Sequence, residues 1–228
     1  MNRLFKIAAL ACALTVGFSA CSKDEQTTEV EQEYQAKVMV KNGETVDLKS
    51  ASSLKSNSGT IKRTNDVYAL RNFRQFKLDA DGNATTTAAD NFYFDFKEND
   101  GTDDKGPVVL PNSARVADLK VNTESGYKLS YIDKAFENVL ATDSFTEAAN
   151  GSLGLQSTYT PNVIGWLNYS GSPNHTVMPV ANRTLVVSKE GKALFKFRVN
   201  SVYSNETPEK EVSPTNYFYY SIDYQEFK

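Results

Sequence analysis

Beyond Cys21 the sequence keeps one imidazole, His175, two thioethers, Met39 and Met178, and no thiol other than Cys21 itself. His175 and Met178 stand three residues apart in the stretch Pro173-Asn174-His175-Thr176-Val177-Met178-Pro179. An unperturbed histidine titrates near pH 6.5, so its neutral ring can ligate a metal at physiological pH; the other reading is a solvated loop histidine. Met178 beside Pro179 reads equally well as a thioether filling a gap in the core. One histidine and no free thiol leave no Ser-His-Asp or Cys-His constellation, so the chain is read as a binding protein and not an enzyme. Residues 100–104 gather three aspartates around Gly101 but lack the spacing and terminal Glu of a calcium loop, which leaves a solvated loop.

Cys21 carries a different chemistry. Arg3 and Lys6 open the chain, residues 7–16 are apolar, and Gly17-Phe18-Ser19-Ala20 precede the cysteine. A basic start, a short apolar core and small residues before the cut describe a secretory leader. The apolar run falls short of the roughly 20 residues that a membrane-spanning helix needs. Ser19-Ala20-Cys21 resembles the bacterial lipobox, which predicts cleavage before Cys21 and acylation of its thiol. Acylation also removes a lone thiol from an oxidising compartment. Several acyl chains on one residue form a stable anchor, at about 0.8 kcal/mol per buried methylene. Ser22-Lys23-Asp24-Glu25 resembles the surface-export tag of lipoproteins of the Bacteroides and Porphyromonas lineage. Expected, then, are a signal peptide over 1–20, a lipidated tether over 21–35 and one domain over 36–228.

The elements that must position His175 are strands. Tyr and Phe number 12 and 13 while His, Trp and Cys are scarce, a balance that suits pleated sheets. The net charge of −3 offers no basic face for nucleic acid. Strands are expected over 36–40 and 45–48, joined at Asn42-Gly43, and over 91–96, 116–121 and 127–132, while over 67–78 apolar residues recur among Arg, Asn and Lys. Further strands are expected over 163–169, 183–188, 193–202 and 216–227, with Glu190-Gly191 turning the second of these into the third. In the last, Phe218, Tyr220, Ile222 and Tyr224 alternate with Tyr217, Tyr219, Ser221 and Asp223, the mark of a half-buried antiparallel strand. Residues 134–149 are the one stretch that suits a short helix. Trp166 is expected in the core. The fold class is all-β, with antiparallel sheets packed as a sandwich or barrel.

Three segments in order carry a family resemblance: Gly165-Trp166-Leu167-Asn168-Tyr169-Ser170, then Pro179-Val180-Ala181-Asn182-Arg183-Thr184-Leu185-Val186-Val187, then Gly191-Lys192-Ala193-Leu194-Phe195-Lys196-Phe197. Together with Asp118-Leu119-Lys120-Val121-Asn122 and Glu124-Ser125-Gly126 they resemble the HmuY family over residues 118–228, about half the chain. The resemblance implies an all-β lipoprotein on the outer membrane, displayed at the cell surface. Such a protein seizes haem or a related porphyrin and hands it to a TonB-dependent receptor. It also implies iron held between two side chains, His or Met, on two loops. In a gapless comparison from Trp166 to Arg183 the best-known ligand position falls on Gly171, which cannot coordinate; His175 and Met178 follow in the same loop. The second loop corresponds to residues 146–165, where Tyr159 is the remaining donor. His175, Met178 and Tyr159 are therefore the haem-ligand candidates that the resemblance supplies. The other reading is a divergent relative that binds a different ligand or serves adhesion on the same scaffold.

Overall fold

A computed structural model describes residues 34–228 apart from Thr158 and Pro161. The expected leader, Cys21 and the expected tether up to residue 33 lie outside the described residues. The first half of the domain holds β1 (Thr45–Asp47), α1 (Leu48–Ala51), β2 (Asn57–Thr64), β3 (Val67–Leu78), β4 (Ala84–Ala88), β5 (Asn91–Asp95), β6 (Asp100–Gly101), β7 (Val108–Pro111) and β8 (Leu119–Val121). The second half holds β9 (Tyr127–Asp133), β10 (Thr146–Glu147), β11 (Ser152–Ser157), β12 (Gly165–Tyr169), β13 (Val177–Pro179), β14 (Arg183–Lys189), β15 (Lys192–Tyr203) and β16 (Tyr217–Glu226). The fold is all-β.

Two sheets result. The larger runs β1-β2-β3-β16-β15-β14-β9-β10, with β4 added beside β3, and every pair in it is antiparallel. The smaller runs β13-β12-β11-β8-β7-β5-β6 and contains one parallel pair, β11 with β12. Gln35–Lys228 forms one compact unit. Its core lies between the sheets and is aromatic. Phe73 of β3 meets Phe92 and Phe94 of β5 edge-on, and Tyr220 of β16 lies flat against Trp166 of β12. Offset and edge-to-face pairs of this kind contribute about 0.5–1.5 kcal/mol each beyond the area they bury.

Local sequence explains the best-formed part. Glu190 and Gly191 both take positive φ, +53° and +76°, between Lys189 and Lys192, which pair across the turn. Positive φ at both central residues matches the right-handed twist of the flanking strands. On β16 the expected aromatic face holds: Phe218, Tyr220, Ile222 and Tyr224 are buried. Trp166 is buried in the core, and its Nε1 donates to the Ala117 carbonyl at 2.7 Å.

Several expectations need correction. Residues 36–40 form no strand: Val38 and Val40 are buried, but the Val38 N–H donates to the Glu98 carbonyl and not to a hairpin partner. β1 pairs instead with β2, and Asn42-Gly43 seats against Arg63 of that strand. The expected helix over 134–149 is a single 3-10 turn, Phe136–Asn138, followed by β10. The α-helix of the described residues is instead Leu48–Ala51, capped by the Asp47 carboxylate, which accepts from the Lys49 N–H.

Candidate functional site

Between the loop after β7, the β12–β13 loop and the segment leading into β16 lies a cleft of about 370 Å³, with Leu155 of β11 on its wall. That volume falls within the range of small-ligand pockets. Its walls are built by short polar locks. The Ser113 hydroxyl accepts the Arg115 N–H at 3.2 Å and fixes the turn Ala114–Val116. Ser170 closes the β12–β13 loop: its hydroxyl accepts from the N–H and the hydroxyl of Thr176, both at 3.0 Å, and its own N–H donates to the Thr176 carbonyl. The third wall, carrying Val212 and Pro214, is tied back by the Glu209 carboxylate, which accepts the N–H groups of Thr215 and Asn216.

His175 stands on this wall. Its N–H donates to the Gly171 carbonyl at 2.8 Å, and its backbone takes a positive φ of +53°. Its Nδ1 shares a hydrogen bond with the Tyr169 hydroxyl, which orients the ring. Beneath it, the Tyr203 hydroxyl accepts the Val177 N–H and donates to the Tyr217 hydroxyl. Burial, and after it the Tyr203 hydrogen bond, push the Tyr217 phenol well above its ordinary value, so it stays protonated. The cleft is thus lined by Tyr169, Tyr217, Leu155 and Val177, with one imidazole and one guanidinium, that of Arg115.

The three ligand candidates do not converge. Strand alternation turns Val177 into the cleft and Met178 to the opposite face, where it lines a second depression of about 300 Å³ with Phe136, Pro179 and Arg198. Tyr159 is 71 % exposed, and its ring lies against Gly171 in the same loop system as His175. The hydroxyl of Tyr159 is 3.0 Å from where a Cβ on Gly171 would stand, and Gly171 has φ +71°. The aligned ligand position is therefore a glycine because the backbone is left-handed there and a tyrosine ring fills the space. Met39 is exposed and lines neither the cleft nor the second depression.

Tyr169, Arg115 and Tyr217 were not anticipated as site residues. Tyr169 sits one residue before the loop that carries His175, so the pair was within reach of a loop argument. Arg115 and Tyr217 approach from 60 and 42 residues away in sequence, and no local periodicity marks either. Among the described residues, no group of three or more His, Cys, Asp or Glu is placed to hold a metal ion. No protein-family model, no curated protein and no solved structure matches the chain.

Proposed function

We propose that this chain is an outer-membrane lipoprotein, anchored through Cys21, that binds haem or a related porphyrin in the His175 cleft and delivers it to a receptor without catalysing a reaction. One observation carries the reading: a single imidazole, oriented by a tyrosine hydroxyl, on the wall of an aromatic cleft. A ring that ligates through Nε2 ordinarily donates its Nδ1–H to an acceptor, which fixes tautomer and orientation. The Tyr169 hydroxyl oxygen is placed to be that acceptor when the ring carries its proton on Nδ1. Because Met178 faces the other side of β13, ligation is by His175 alone, and one donor releases a cargo more readily than two.

Titrating residues 22–228 with haemin tests the reading. The expected result is a sharpened Soret band that His175→Ala abolishes and that Met178→Ala and Tyr159→Phe leave intact. A band that survives His175→Ala sinks the ligand assignment. The divergence of Met178 from His175 favours one second reading, a non-haem ligand or adhesion role on the same scaffold. Its sign is no spectral change with haemin at micromolar concentration.

A further inference from the structure

The arginines of the described residues are accounted for by the fold, with one exception. Arg63 donates to the Asn65 carbonyl and lies over the Tyr68 ring. Arg71 is bound by Glu206 and Asp223, and Arg198 by Glu137 and Asp223. Arg74 donates to the Tyr217 carbonyl and stacks on Tyr219. Arg183 holds Asp133 with two parallel hydrogen bonds at 2.7 and 2.8 Å. Arg115 alone makes no side-chain hydrogen bond, ion pair or ring contact with another described residue; its backbone N–H is engaged by Ser113.

That exception lies on the cleft, where among the described lining residues Arg115 is the one fully charged side chain and no aspartate or glutamate joins it. On the neighbouring wall Glu209 is occupied by Thr215 and Asn216, and Glu211, which precedes Val212, is exposed and is not part of the cleft lining. An exposed arginine on the lining of an aromatic cleft, in a chain of net charge −3, is a one-sided arrangement. Its planar fork suits a carboxylate or another oxyanion, two oxygens to two N–H groups. The surrounding tyrosine and aliphatic surface suits a flat apolar body.

We infer that Arg115 anchors the anionic group of the ligand, so that the cleft selects planar amphipathic anions over their neutral counterparts. The inference rests on the location of the site in the preceding reading, but not on iron. Arg115 would set specificity at one end of the ligand while His175 fixes the other part of it. No bond is made or broken.

The test compares matched pairs of probes on the chain from Ser22 onward, whose domain forms a compact unit with its own core. Haemin is expected to bind about 10- to 100-fold more tightly than haemin dimethyl ester, the range that one charge-assisted hydrogen bond covers. Arg115→Gln should bring haemin down to the level of the ester and leave the ester unmoved, and Arg115→Lys should recover part of the difference. The preference should also shrink with added salt, which a merely structural role would not produce. Equal binding of haemin and its ester by the wild-type chain, or full retention of the preference in Arg115→Gln, overturns the inference while leaving haem binding in place. If haemin does not bind at all, the haem reading fails and 1-anilinonaphthalene-8-sulfonate against N-phenyl-1-naphthylamine decides the matter. Fluorescence enhancement favouring the sulfonate and lost in Arg115→Gln supports the anion anchor. No such preference overturns it.

Discussion

On the outer face of the larger sheet, Asp223 of β16 lies between Arg71 of β3 and Arg198 of β15, and the turn Phe136–Asn138 packs over them; at the cleft, Arg115 stands without a counter-charge. The first region is closed on itself. Lys196 donates to the carbonyls of Phe136 and Val139 at 2.9 Å each, Arg198 reaches Glu137 at 2.6 Å, and its guanidinium also lies over the Phe136 ring. Every charge there has a partner within the chain, so the cluster is structural. The second region is open, and its cation is left for something that arrives. The difference teaches that satisfied and unsatisfied charge separate the framework of this molecule from its binding surface more clearly than residue type does.

Breaking the closed cluster at its centre should have the largest effect. Asp223→Ala leaves two guanidinium groups facing one another across β16, from β3 on one side and β15 on the other, and Asp223 is itself only 10 % exposed. The arginines, each about a third exposed, recover some hydration, so the expected loss is about 2–4 kcal/mol and not the full penalty of a buried orphan charge. A urea titration should show a lower midpoint with an unchanged slope. The same residue sets a sign with pH. Burial pushes the Asp223 carboxyl up, but the hydrogen bonds and charges of Arg71, with Asn200 and Arg198, more than offset this and hold it below 3.8. A depressed carboxyl contributes stability in full above its unfolded value and loses it as pH falls through the folded one. Stability of the wild type should therefore decline below about pH 4, and that acid limb should flatten in Asp223→Ala.

A smaller loss is expected at Lys196. Its ammonium is buried, which lowers its pKa, and it ties down a turn that has no other cap from a side chain. Lys196→Met keeps the stem that packs on the sheet and removes the donor, leaving two carbonyls to find water. About 1–2 kcal/mol is the expected cost. Hydrogen exchange should locate it in residues 134–143 and leave the cleft unaffected; protection lost evenly across the domain would contradict the local role.

How much of this was legible differs along the chain for a physical reason. Strands β14 and β15 could be read because Glu190-Gly191 turns one directly into the other, and β16 because its aromatic residues alternate. The Asn42-Gly43 hairpin could not, because a turn dipeptide does not say which strand follows: β1 found β2 across α1, and residues 36–40 docked on Glu98. Residues 134–149 carry apolar spacing that suits a helix. Yet the carbonyls of Phe136 and Val139, which a helix would use internally, are taken by Lys196 from β15. Strands β7, β11 and β13 are short and depend on their neighbours, and so gave no periodicity to read. At the site, the loop that holds His175 was legible from its donors. Arg115 was not, since a single exposed arginine acquires meaning only when its lack of a partner is seen in three dimensions.

The sharpest form of the comparison is the variant expected to change stability least. Arg115→Ala removes a charge with no partner among the described residues, on a turn whose cap comes from Ser113 and not from the arginine side chain. The ligand-free variant should therefore unfold within about 0.5 kcal/mol of the wild type, as surface substitutions away from special features do. It should also keep its acid limb, because Asp223 is untouched. With ligand present the two proteins should part. A ligand that binds only the folded state raises the wild-type midpoint by RT ln(1 + [L]/Kd), and a variant with a tenfold weaker Kd gives up roughly 1.4 kcal/mol of that gain at saturating ligand. Paired thermal melts, with and without haemin or the naphthalene sulfonate, read both quantities in one experiment. A ligand-free variant already destabilised by 2 kcal/mol or more would mean that Arg115 belongs with the closed cluster, and the contrast between the two regions would dissolve.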